Sequence, residues 1–159
     1  MINTKIRMEI IEEMKPLMLF KGMWNVQGKN LPGAPIDANQ PLHGTQNVTI
    51  LGNNFLVAHW NYKFVDNEHF GISIIGTDND SSQPKLHLFD NGGSYRAYDL
   101  KIEGNLWTIT GETERSTMVF DKEGNTYKEH WEIKLDGKWN PLCERYGTKE
   151  TVTNKENTI

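Results

Sequence analysis

From Phe20 to Thr148 the chain consists of short segments in which apolar and polar residues alternate, cut by turn residues every eight to twelve positions. A period of two sends successive side chains to opposite faces of a strand. Phe20, Gly22, Trp24 and Val26 alternate with Lys21, Met23, Asn25 and Gln27 on the first such segment. Further strands are predicted over 43–51, 55–65, 69–77, 85–90, 95–103, 106–112, 115–120, 126–135 and 138–148. Gly52-Asn53-Asn54, Asp66-Asn67, Gly104-Asn105 and Asp136-Gly137 supply tight turns between them, and Asp-Gly is a strong hairpin signal. About ten strands in this rhythm predict an all-β protein, an antiparallel up-and-down β-barrel whose closure removes unpaired edges.

Two segments break the pattern. Ile6, Ile10, Met14 and Leu17 are spaced four, four and three apart, which predicts a short amphipathic helix over 4–15. Asn3 or Thr4 caps it and Pro16 is expected to end it, since the residue before a proline is pushed out of the helical region. Residues 29–41, KNLPGAPIDANQP, hold three prolines and a glycine and are expected to be irregular. Connections of that length are often functional rims or lids. The expected organisation is a helix and lead-in over 1–19 packed on the barrel, a barrel domain over 20–148 and a frayed tail over 149–159.

Composition narrows the function classes. With 159 residues, one domain is the default. The net charge is -4, and Lys and Arg are scattered among acids, which disfavours a nucleic-acid surface. No stretch approaches the roughly 20 apolar residues of a membrane span. The first residues lack an unbroken apolar run, so no signal peptide is expected and the reading is cytoplasmic. Cys143 is the single cysteine and forms no internal disulfide.

In a closed barrel alternate residues face inward. On 55–65 the even positions are the more apolar, which places Trp60 and Tyr62 inside and His59 outside. Arg96 and Tyr98 share a face with Leu100 and Ile102, and Tyr127, Glu129 and Trp131 share another. Arg96 is expected to meet Glu129 or an anionic ligand group. The candidate ligand-binding residues are Trp60, Tyr62, Arg96, Tyr98, Tyr127, Glu129, Trp131 and Tyr146. Trp24 is expected to plug the closed end. His43, His59, His69, His87 and His130 form no metal-ligand spacing, and no cofactor is implied. Cys143, on a face with Pro141 and Arg145, is expected to be a buried, inert thiol. No G-x-S-x-G elbow or phosphate loop is present.

Gly22-Met23-Trp24, just after a short helix, resembles the G-x-W signature of the calycin group, which includes lipocalins, fatty-acid-binding proteins and nitrobindin-like haem proteins. The elements GMW, LGNNF, IIGTD, FDNGG, LWTITGE and DGKW fall in the order seen in a bacterial lipocalin-like family of unknown function. The resemblance spans roughly residues 17–148 and implies a barrel with a central cavity and no established reaction. The chain departs from relatives at two places. Fatty-acid-binding proteins carry a helix–turn–helix lid where this chain has 29–41. They also carry an inward Arg-x-Tyr pair on the last strand, whereas Arg145 and Tyr146 are adjacent here and face opposite ways. Nitrobindin-like proteins hold haem through a late histidine, and the last strand here has none.

The leading expectation is non-catalytic binding of a small, largely apolar ligand inside the barrel. The alternatives are a packed barrel meeting a protein partner through 29–41, an enzyme using Arg96, Glu129 and a tyrosine, and haem binding. A homodimer is compatible with the sequence.

Overall fold

Each alternating segment pairs with its neighbours in sequence, and the last returns to the first. The computed structural model describes residues 12–33, 36–78, 80 and 83–151. Ten antiparallel strands form a closed barrel in the order β1-β10-β9-β8-β7-β6-β5-β4-β3-β2. They are β1 (Gly22–Asn30), β2 (Pro41–Leu51), β3 (Phe55–Lys63), β4 (Glu68–Gly76), β5 (Lys85–Asp90), β6 (Tyr95–Glu103), β7 (Leu106–Thr110), β8 (Glu114–Phe120), β9 (Thr126–Leu135) and β10 (Lys138–Lys149). The seam closes through β1 and β10, with Val26 opposite Gly147 and Gly28 opposite Arg145. At the β9–β10 hairpin Asp136 and Gly137 both take positive φ, 49° and 77°, as a tight turn matched to strand twist requires.

The N-terminal helix differs from the sequence expectation. Most of 4–15 lies outside the described residues. Glu12–Phe20 form a 3-10 helix that contains Pro16 instead of ending at it. The reason is periodicity: Met14, Leu17 and Phe20 recur every three residues, the repeat of this helix, and all three are buried. Pro16 falls on the exposed side.

The long connection is also shorter than expected. β1 runs on to Asn30 and β2 starts at Pro41, a first-strand position where a missing N–H is tolerated. The remaining connection is tied at both ends: Leu31 N donates to Leu142 O at 2.9 Å, and Asn39 N donates to Asn30 O at 2.9 Å. At the other terminus β10 continues to Lys149, whose Nζ donates to Leu19 O at 3.0 Å.

The 3-10 helix closes one end of the barrel. Phe20 inserts among Trp24, Trp107, Phe120 and Tyr127, with ring centres 5.5–6.1 Å away. Trp24 is fully buried and its Nε1 donates to Phe20 O at 2.9 Å, so it pins the helix end to β1. Edge-to-face aromatic packing of this kind adds about 0.5–1.5 kcal/mol per pair beyond the area it buries. Gly147 on β10 leaves room for the Tyr127 ring: a Cβ there would lie 2.1 Å from Tyr127 Cε1.

Candidate functional site

Above the aromatic plug the barrel is hollow. A cavity of about 120 Å³ lies between the plug and the far rim. Its lower wall is apolar, with Ile75, Leu86, Ile109 and Met118 contributed by β4, β5, β7 and β8. Its upper wall is polar, and here three clusters meet.

The first cluster joins β6 and β8. Arg96 Nη1 donates to both carboxylate oxygens of Glu114, at 2.8 and 2.9 Å, and the Tyr98 hydroxyl donates to Glu114 Oε2 at 2.8 Å. Burial and the Glu114 charge push the Tyr98 hydroxyl well above its ordinary range, so it stays a proton donor. Burial works to lower the Arg96 pKa, but Glu114, Tyr98 and Asp90 together outweigh it and hold the guanidinium charged.

The second cluster joins β9 and β10. Arg145 Nη1 stands 3.7 Å from Glu129 Oε2, while Glu129 Oε1 accepts from Trp131 Nε1 at 2.6 Å. The Arg145 guanidinium also lies 4.4 Å from the centre of the Tyr62 ring. Burial again opposes the charge on Arg145, and Cys143, Tyr62 and Glu129 more than offset it. The Arg145 Nε is buried and has no hydrogen-bond partner.

The third cluster joins β2, β3 and β4. Trp60 stacks on Tyr62 at 5.4 Å and donates its Nε1 to Ser73 Oγ at 3.1 Å. The Tyr62 hydroxyl donates to Gln46 Oε1 at 3.0 Å, and burial raises its pKa well beyond the ordinary value. His69 packs edge-on to Trp60 at 4.8 Å and meets Asp90 at 3.2 Å.

The cavity opens toward the end that carries 31–40. A wider vestibule of about 680 Å³ lies there, and it shares His69, Leu142 and Arg145 with the cavity. Asn30, Asp37 and Gln40, in and beside the 31–40 connection, line its edge.

Six of the eight candidate residues line this cavity: Trp60, Tyr62, Arg96, Tyr98, Glu129 and Trp131. Tyr127 does not. It belongs to the closing plug, because its position on β9 is two residues nearer that end than Glu129. Tyr146 does not either. Its neighbour Arg145 takes the inward position, so Tyr146 stands on the outer face, 44% exposed. Arg96 pairs with Glu114 and not with Glu129, because β8 and β6 bring those two ends together at the rim.

Sequence reasoning missed Glu114, Arg145 as a lining residue, and Gln46. Glu114 was legible: it continues backward the inward alternation of Ser116, Met118 and Phe120 on β8. Cys143 and Arg145 share a face as expected, but Pro141 does not join them, because the register shifts between Pro141 and Cys143. Of the five histidines only His69 lines the cavity. No cluster of three or more potential metal ligands occurs among the described residues. No helix among them is long and apolar enough to cross a membrane.

Fold and cavity together define a closed ten-strand antiparallel barrel with a hollow interior. Among solved structures, Rv2717c from M. tuberculosis matches with a TM-score of 0.67 at 10% identity, covering 90% of this chain and 100% of that one. The S-type phycobiliprotein lyase CPES from Guillardia theta matches with a TM-score of 0.57 at 8% identity, over 85% and 90%. The zebrafish ileal bile acid-binding protein, solved with cholic acid, matches with a TM-score of 0.54 at 14% identity, over 83% and 99%. At these identities the likeness concerns the fold. No protein-family model matches the chain, and no curated protein matches it by sequence.

Proposed function

We propose that this barrel binds a small, largely apolar molecule without transforming it. The observation that carries the reading is the hollow itself: an apolar floor, a polar ceiling of two arginine–glutamate pairs, and a vestibule leading to it. A few convergent polar groups over an apolar wall is the usual design of a small-molecule site. The cholic acid complex of the zebrafish neighbour is consistent with a fold suited to such a role.

Size limits the occupant. The cavity volume of about 120 Å³ is close to the roughly 150 Å³ that accommodates benzene. It is well below the roughly 300–1,000 Å³ of drug-sized sites. A single substituted ring fits, with any longer tail lying in the vestibule. Haem suits the site poorly on the same ground, and His69 already meets Asp90.

The test is a thermal-shift screen of small neutral aromatics, run in parallel with organic extraction of the purified protein. A ligand at a hundred times its Kd adds about 2.7 kcal/mol to stability. Stabilising compounds are expected for the wild-type chain and not for Leu86→Phe, which fills the floor. A screen in which no compound raises the Tm, together with an extract holding no small molecule, contradicts the reading.

A further inference from the structure

The charges at the polar end of the cavity cancel in two unequal pairs. Arg96 and Glu114 saturate each other, since one guanidinium nitrogen meets both carboxylate oxygens and Tyr98 donates as well. Arg145 and Glu129 do not. Their approach is 3.7 Å, beyond a hydrogen bond, and the second Glu129 oxygen is already taken by Trp131. Arg145 thus lines the cavity as a cation that Glu129 faces without hydrogen-bonding to it.

A ligand oxygen that accepts from Arg145 must come to rest a few ångströms from the Glu129 carboxylate. The charge of that oxygen then decides the outcome. A ligand carboxylate would set two like charges side by side, an unfavourable juxtaposition. A neutral carbonyl oxygen meets the same donor without that repulsion. An amide or hydroxyl proton on the same ligand would in addition find Glu129 Oε2 as an acceptor.

We propose that Glu129 serves as a built-in counter-anion for Arg145 and makes the cavity selective for neutral ligands bearing a carbonyl or amide oxygen, against carboxylates of the same shape. The inference rests on the binding role proposed above and adds the class of ligand. Glu129 is then a specificity-determining residue: it occupies electrostatically the place an anionic head group would take.

Benzamide and benzoate are probes of nearly equal shape that differ in charge. Isothermal titration of the full chain with each is expected to favour benzamide by at least about tenfold in Kd, a conservative reading of that repulsion. Glu129→Gln keeps an acceptor for Trp131 and removes both the charge and the Oε2 acceptor, so benzoate should gain at least about tenfold relative to benzamide. The surface variant Glu103→Gln should leave both affinities as they are. Benzoate binding the wild-type chain as tightly as benzamide overturns the selectivity and leaves the binding role standing. An unchanged ratio in Glu129→Gln does the same. Binding of neither probe to either protein overturns both. If Glu129→Gln fails to fold, the wild-type ratio decides alone: tenfold or more supports the proposal, and a ratio near one overturns it.

Discussion

Arg145 on the last strand lies over the face of Tyr62 on the third, with its guanidinium carbon 4.4 Å from the ring centre. The contact crosses the barrel interior, because β3 and β10 are not neighbours in the sheet. A desolvated cation–π contact is worth about 2 kcal/mol, and it comes on top of the ion pair with Glu129.

Arg145→Met is expected to be strongly destabilising. It removes the cation and leaves Glu129 buried without a counter-charge, which costs roughly 3–5 kcal/mol. Adding Glu129→Gln should recover much of the loss, since the stranded charge is then gone. Urea unfolding of the single and double variants checks this. A double variant no more stable than Arg145→Met would show that packing, not charge, accounts for the loss.

The closed end should be the most sensitive part of the core. Phe20→Ala empties the centre of the aromatic plug and is expected to cost about 3–5 kcal/mol. Met23→Ala, three residues on and 40% exposed, should fall within about 0.5 kcal/mol of wild type. Equal losses in thermal unfolding would contradict the plug.

Asp90 sets an acid limit on stability. Burial works to raise its carboxyl pKa, but hydrogen bonds from the Ser94 and Gly92 backbone and from His69 outweigh it, and the carboxyl is held below the usual range. A group depressed in the folded state stabilises above its unfolded pKa, about 3.9, and that contribution is lost as pH falls through the folded value. Asp90→Asn should therefore cost about 1–3 kcal/mol near neutrality. The gap from wild type should narrow below about pH 4. Urea midpoints measured from neutral to acidic pH would show this, and a gap independent of pH would count against it.

Cys143 should be chemically silent. Burial raises its thiol pKa, and the nearby Arg145 charge opposes that only in part. Native protein should resist iodoacetamide at neutral pH and react readily in denaturant. Labelling of the folded chain at the rate of a free thiol would contradict the burial.

Much of the barrel was legible from alternation alone. On β3 the even residues Leu56, Ala58, Trp60 and Tyr62 are buried, as the pattern predicts. On β9 Tyr127, Glu129 and Trp131 face inward in the same way. What alternation cannot show is height along the barrel axis, and so it did not separate Tyr127 in the plug from Glu129 at the ceiling. Nor can it pair charges across the interior: Arg96 meets Glu114 and Arg145 meets Glu129 because of strand order and stagger. Phase fails where a strand slips. The irregularity between Pro141 and Cys143 separates two residues that strict alternation would place together. The helix end at Pro16 is misplaced for a similar reason, since Met14, Leu17 and Phe20 continue an apolar repeat of three past it.

The central claim is that a small neutral ring enters the barrel and rests between the aromatic walls. The indole N–H signals of the five tryptophans report on this directly in heteronuclear NMR, because they sample different places. Trp60 and Trp131 line the cavity at its polar end, Trp107 borders it from the plug, Trp24 is sealed in the plug, and Trp139 lies beside Arg115 away from the cavity lining. Titration with benzamide should shift Trp60 and Trp131 saturably and leave Trp24 and Trp139 in place. Shifts confined to Trp139, or no shift at any indole, would contradict the account.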